Sequence, residues 1–274
     1  MMAITSAIER PFGKLAFEDN GSGAPIVFAH GLGGNYLSWW QQVAHFKTRY
    51  RCVAFAHRGF APSDAVRGAP DPNDYADDLA ALLDHLAIPR AVIVAQSMGG
   101  WTAVEFGLKY PDRVAGIVFA CTTGSIDFSQ SGHLKLGAMD EWRAFAEAEI
   151  AAGDAESVHR ACGRRMATES PALHELYKEI DRLSVGLAKD VVMSRLHAMR
   201  KRPPSDLDRI PAHKLFLTGG EDIVIPPCGV DAVARGAANA RFVKVENAGH
   251  SVYFEHASQF NDAVDAFLAA IDYA

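Results

Sequence analysis

The sequence predicts an α/β fold: a mostly parallel sheet with helices on both faces. Three observations predict it. The strand-like stretches are continuous apolar runs rather than alternating ones, as in a sheet covered on both sides. Amphipathic helical segments alternate with these runs, as parallel crossover connections require. The alternation breaks once, over about residues 123–209, where the chain reads as helical and offers no convincing strand.

The elements follow in order. Residues 14–18 and 25–30 (PIVFAH) read as strands, parted by the turn formers DNGSG. A glycine-rich loop, HGLGGN, comes next. Aromatic and apolar residues at helical spacing predict a helix over 38–50, and 51–56 is a short apolar strand. Residues 72–86 are an amphipathic helix with Tyr75, Leu79, Leu82, Leu83 and Leu86 on one face. The run AVIVAQ then enters SMGGW, and 99–110 is the helix that follows, ended by Pro111. Residues 114–121 are the next buried strand. After the break come a strand at 214–218, a helix at 226–238, a strand at 241–245 and a last helix at 253–269. The simplest organisation is one core formed by 1–122 and 210–274, with 123–209 a helical insertion. Such an insertion, leaving near the carboxyl ends of parallel strands, is placed to roof a ligand site.

Composition narrows the function. A chain of 274 residues with 49% hydrophobic and 22% charged residues has ample material for a core. Its net charge of −6 argues against nucleic acid or an anionic membrane as partner. The longest apolar runs are too short to span a bilayer. The start, MMAITSAIERPFG, lacks a basic segment followed by an apolar block, so a secretory leader is not expected. Cys52, Cys121, Cys162 and Cys228 are scattered and form no C-x-x-C pair, which fits buried free thiols in a reducing cytoplasm. The loop Gly31-Leu32-Gly33-Gly34 lacks the third glycine of a dinucleotide fingerprint, and no phosphate-binding Gly-Lys-Ser/Thr or H-E-x-x-H occurs. No metal and no cofactor are therefore expected. The expected partner is a small-molecule substrate, with a homo-oligomer left open.

The chemistry starts at Ala91–Trp101. A buried strand that runs into Ser97 and then two glycines is close to the nucleophile elbow G-x-S-x-G, with Ala95 in place of the first glycine. A serine hydroxyl is a weak nucleophile unless a base touches it and a carboxylate orients that base. Two later strand ends supply candidates: Asp222, with Glu221 beside it as the competing acid, and His250 after Gly249. Acyl transfer also needs donors for a developing oxyanion. The Met98 N–H at the helix start is one, and the Leu32 N–H in the glycine loop is the choice for the second. Candidates for the pocket by position are Leu32, Trp101, Ile126, Trp142, Val224 and Val252, with His57 and His133 as solvated loop histidines. Few charges are expected beside the site, which would suit an uncharged or aromatic acyl group.

The set His30-Gly31, Arg58-Gly59, Ser97 in its elbow, Asp222 in the stretch from Gly219, and Gly249-His250 resembles the α/β-hydrolase fold superfamily over nearly all the chain outside the insertion. Within it the chain is similar to small bacterial esterases, enol-lactonases and ring-cleavage-product hydrolases. The resemblance implies an eight-stranded, mostly parallel sheet with a helical cap after the sixth strand, and it favours Asp222 over Glu221 as the acid. It implies a serine hydrolase acting on a carboxylic ester or lactone. The rivals are a carbon–carbon bond hydrolase, a cofactor-free haloperoxidase or perhydrolase, and a binding receptor without turnover. Departures are Ala56, Phe60, Ala61 and Ala95. Ser251 follows the histidine where carbon–carbon hydrolases often carry Trp.

Overall fold

In the computed structural model of the chain, residues 6–274 are described. The first five residues, part of the stretch read for a leader, lie outside the described residues. Eight strands form one sheet: β1 (Ser6–Arg10), β2 (Gly13–Asn20), β3 (Pro25–Ala29), β4 (Arg51–Phe55), β5 (Ala91–Gln96), β6 (Val114–Ala120), β7 (His213–Gly219) and β8 (Ala240–Val245). Their order is β1-β2-β4-β3-β5-β6-β7-β8. The pairs β1/β2 and β2/β4 are antiparallel, and every other pair is parallel.

The central strand explains why the apolar runs do not alternate. All six residues of β5 are buried, because helices cover both faces. Val92, Ile93 and Val94 are fully buried, and each contributes roughly 1.5–3 kcal/mol by leaving water. Two separate apolar clusters lie on the two sides of the sheet. Phe28 and Val94 belong to one, and Val27 and Ile93 to the other.

The helices are α1 (Trp40–Phe46), α2 (Tyr75–His85), α3 (Gly99–Lys109), α4 (Ala138–Ala155), α5 (Arg164–Glu169), α6 (Pro171–Arg182), α7 (Lys189–Met199), α8 (Pro227–Gly236), α9 (Val252–Glu255) and α10 (Ala257–Ala270). Four of these, α4 to α7, occupy the stretch between β6 and β7. The two ends of that excursion lie side by side. Asp127 N–H donates to Arg202 O (2.8 Å) and Arg202 N–H to Ser125 O (3.2 Å).

Three local readings differ from the structure. Strand β1 was not foreseen, because SAIER is mostly polar and buries only Ile8 at the sheet edge. The helix expected over 38–50 is a 3₁₀ turn at Tyr36–Trp39 followed by the shorter α1, with Asn35 capping through Leu37 N–H. The last helix is two. His256 has φ −126° and ψ 58°, outside helical values, and this break separates α9 from α10.

Two buried histidines lie behind the elbow and make stability depend on acid. His57 N–H donates to His30 Nε2 (3.0 Å), so the His30 proton sits on Nδ1 and is donated to Gly31 O (2.8 Å). His57 is not the solvated loop residue expected. It is buried, with its Nε2 at 2.9 Å from Thr102 Oγ1. Burial lowers His30 to about 4 and His57 well below its ordinary value. The unfolded chain takes up protons near 6.5 that the folded His30 refuses until about 4, so stability is complete above pH 6.5 and falls as pH drops toward 4. His30 alone should cost about 2 kcal/mol between pH 7 and pH 5, with His57 adding in the same direction. Urea denaturation at the two pH values measures this, and equal stabilities would refute it.

Candidate active site

The elbow is built by close approach. Ser97 has φ +48°, in the left-handed region that costs a non-glycine residue of order 1 kcal/mol or more. The surrounding bonds hold it there. Ser97 N–H donates to Ala120 O (3.1 Å), while Ser97 O accepts from Gly100 N–H (2.8 Å) and from Thr122 Oγ1 (2.9 Å). A Cβ on Gly99 would stand 2.2 Å from Ala29 O, so α3 can leave the elbow only with glycine there. Ala95 is fully buried opposite Ala29 and Phe119, and its methyl is accommodated.

Three side chains from three strand ends converge. His250 Nδ1 lies 2.9 Å from Asp222 Oδ2, with Asp222 fully buried and His250 nearly so. Asp222 Oδ1 accepts from Val224 N–H (2.8 Å) and Ile225 N–H (2.9 Å), which fixes the carboxylate's rotation. Gln96 Nε2 donates to His250 O (3.1 Å). Ser97 and His250 line one cavity of about 190 Å³. Among the described residues no hydrogen bond joins Ser97 Oγ to His250 Nε2. Nucleophile–base contacts are often loose in unliganded enzymes and tighten with substrate. Glu221 turns the other way and pairs with Arg165 of α5 at 2.7 Å.

One backbone donor, the Leu32 N–H, is oriented through His30. The Gly31 carbonyl accepts from His30. In a trans peptide the following N–H points opposite the carbonyl, so the Leu32 N–H is turned away from His30. A Cβ on Gly31 would stand 3.1 Å from the Ser97 Cβ, which places this loop against the nucleophile. Among the described residues neither the Leu32 nor the Met98 N–H has a protein acceptor. Met98 stands at the start of α3, where the helix dipole also favours negative charge.

Cys121, Asp222 and His250 place one ligand atom each within 4.8 Å of the others. Burial pushes the Cys121 thiol well up and keeps it protonated, and Asp222 and His250 already bond each other. This donor set fits a triad better than a cation site.

The pocket differs from the positional guess. Leu32 and Val224 line it. Trp101, Trp142, Val252 and Ile126 do not. Trp101 Nε1 donates to Leu196 O on α7 (3.1 Å), and Trp142 Nε1 donates to Asp222 O (2.7 Å), so both tie the helices between β6 and β7 to the rest of the chain. Val252 and Ile126 are fully buried in the core clusters. The missed lining is Gly33 and Gln96 from the core and, from the stretch between β6 and β7, His159, Arg160, Ala161, Tyr177, Asp181, Lys189 and Met193. Nor is that stretch free of charge near the site. Asp181 pairs with Lys189, and with His159 at 3.4 Å. Burial pushes the Asp181 carboxyl up, but bonds from His159 and Lys189 outweigh it and hold it below its ordinary value. These charges sit on three separate segments, the loop before α5, α6 and the start of α7, so only the folded chain brings them together.

A family model described as alpha/beta hydrolase fold matches residues 24–257. The chain belongs to that family and is a hydrolase of the α/β fold. It is 27% identical to a Mycobacterium tuberculosis protein assigned only provisionally as a non-heme bromoperoxidase, over 94% of this chain and 98% of that one. It is also 27% identical to 3-oxoadipate enol-lactonase 2 of Acinetobacter baylyi, over 89% and 88% of the two chains. The solved structure of a thermophilic esterase from Thermogutta terrifontis superposes with a TM-score of 0.76 at 27% identity, covering 98% of this chain and 99% of that one. Among the described residues no helix is long and apolar enough to cross a membrane.

Proposed function

We propose that the protein hydrolyses small carboxylic esters or lactones through an acyl-enzyme on Ser97. The observation that carries this reading is the pair of unpartnered amides, Leu32 and Met98, beside a serine that shares its cavity with a carboxylate-held histidine. His250 Nε2 takes the Ser97 proton as Oγ attacks the substrate carbonyl. The two amides receive the oxyanion. His250 then gives that proton to the leaving alkoxide, and the acyl group stays on Oγ. Water, deprotonated by His250, attacks the acyl carbon in turn, and Ser97 leaves with the proton. Asp222 stays ionised and holds the imidazole throughout. Every group these steps require is supplied by this chain, and the partner is a small molecule.

The cavity walls favour a compact acyl group. Leu32, Ala161, Met193 and Val224 supply apolar surface, and the cap charges are paired with one another. Parallel assays with p-nitrophenyl acetate, a simple lactone and a vinylogous diketone test the reading. Turnover of ester or lactone is expected. Turnover of the diketone alone would assign carbon–carbon bond hydrolysis instead. No turnover, together with tight binding, would assign a receptor.

A further inference from the structure

One carboxylate ties down the loop that carries the base. Glu255 ends the one-turn helix α9, and its partners among the described residues are all backbone amides. Its Oε2 accepts from Gly249 N–H (2.8 Å), and its Oε1 accepts from Ser251 N–H (3.1 Å) and from Gly163 N–H (3.2 Å). Two of these donors flank His250 in the chain. The third is in the cap, 92 residues away in sequence. Capping of α9 would account for the Ser251 bond alone. It would not recruit Gly249 or a strand of cap backbone. The two backbones also touch: a Cβ on Gly249 would stand 2.5 Å from Gly163 N and 2.9 Å from Glu255 Oε1. Burial pushes the Glu255 carboxyl up, while the amides of Gly249, Ser251 and Gly163 pull it down.

We propose that Glu255 is a positioning residue that clamps the His250 loop against the cap, so that seating the cap and aligning the base are a single event. This rests on the reading of His250 as the base. His250 must reach Ser97 while its Nδ1 stays on Asp222, which leaves the loop little freedom. A misplacement of about 1 Å at such a site costs on the order of 10² in rate. Glu255 touches neither substrate nor the reacting atoms, and its effect passes through Gly249 and Ser251.

Glu255→Gln keeps the volume and removes an acceptor. Its amide group then faces an N–H donor, whichever way it is turned. With p-nitrophenyl acetate, kcat should fall about tenfold to a hundredfold while KM moves by less than about threefold. Glu255→Asp, which keeps the charge and loses reach, should restore part of kcat. By proton NMR, the low-field Nδ1–H resonance of His250 should broaden or vanish in Glu255→Gln and persist in Ser97→Ala. A folded Glu255→Gln enzyme with wild-type kcat and an unchanged low-field resonance would overturn the proposal. If Ser97→Ala kept full turnover, the nucleophile reading would fall, and the NMR comparison would still decide the role of Glu255. Should the Gln variant not fold, Glu255→Asp carries the same comparison, with a smaller loss of kcat and the same broadening expected.

Discussion

Ser97→Ala is expected to lose roughly 10⁶ in kcat toward p-nitrophenyl acetate, the scale seen when a serine hydrolase loses its nucleophile. The fold should survive. Among the described residues Ser97 Oγ makes no hydrogen bond, so its removal strands no partner. The backbone bonds that hold the positive φ come from Ala120, Gly100 and Thr122 and do not involve the hydroxyl. The melting temperature should therefore move by no more than about 2 °C. Residual hydrolysis above the rate in water is expected, because the Leu32 and Met98 amides proposed to receive the oxyanion remain. Thermal denaturation beside the kinetics separates the two effects. A variant that melts normally and keeps wild-type kcat would remove Ser97 from the mechanism.

Asp222→Asn should cost on the order of 10⁴ in kcat, and the reason lies in the backbone. Val224 and Ile225 N–H both donate to Oδ1. In the asparagine variant those two donors select the amide oxygen, which leaves the amide nitrogen at the Oδ2 position facing His250 Nδ1. A donor there forces His250 to keep its proton on Nε2. That tautomer cannot accept the Ser97 proton. Shape and volume barely change, so the loss is chemical. The neighbouring Glu221→Gln gives the contrast. Glu221 serves an exposed pair with Arg165, a kind of contact worth about 1 kcal/mol or less, and kcat should stay within about threefold of wild type. Steady-state kinetics on the two variants checks both expectations. Equal losses would mean that the acid has been misassigned.

The legibility of this site in the sequence follows the range of the contacts involved. The elbow is local. Its strand, its strained serine and its two glycines lie within ten residues, so the tight passage of Gly99 past Ala29 O, where a Cβ would stand only 2.2 Å away, is already implied by residue type. The choice between Glu221 and Asp222 is not local. Both are carboxylates at one strand end, and only the rotation set by Val224 and Ile225 decides which meets His250. The family resemblance favours Asp222 by spacing alone, and the bond from His250 Nδ1 to its carboxylate is visible only in the fold. The stretch between β6 and β7 reads as helical and folds as α4 to α7, but the surface it presents is not legible in the sequence. Trp142 reads as a pocket candidate from its position, yet it reaches the acid loop through a bond spanning 80 residues. His159 and Lys189 lie far apart in the sequence, yet both converge on Asp181 because three segments between β6 and β7 meet there. Strand β1 was lost to its own polarity, since an edge strand needs only one buried side chain to pair. His57 was lost because a single histidine after a strand carries no sign of the aromatic packing that buries it against Phe55 and Tyr75.

An acyl-enzyme on Ser97 is the central claim, and a covalent adduct tests it most directly. Acid-quenching the enzyme during turnover of a slow p-nitrophenyl ester, digesting it and measuring peptide masses should show one acyl group on the peptide carrying Ser97. The adduct should build up in Asp222→Asn only as slowly as its lower kcat allows, and it should be absent from Ser97→Ala. Active turnover with no adduct at Ser97, or with the acyl group on another residue, would contradict it.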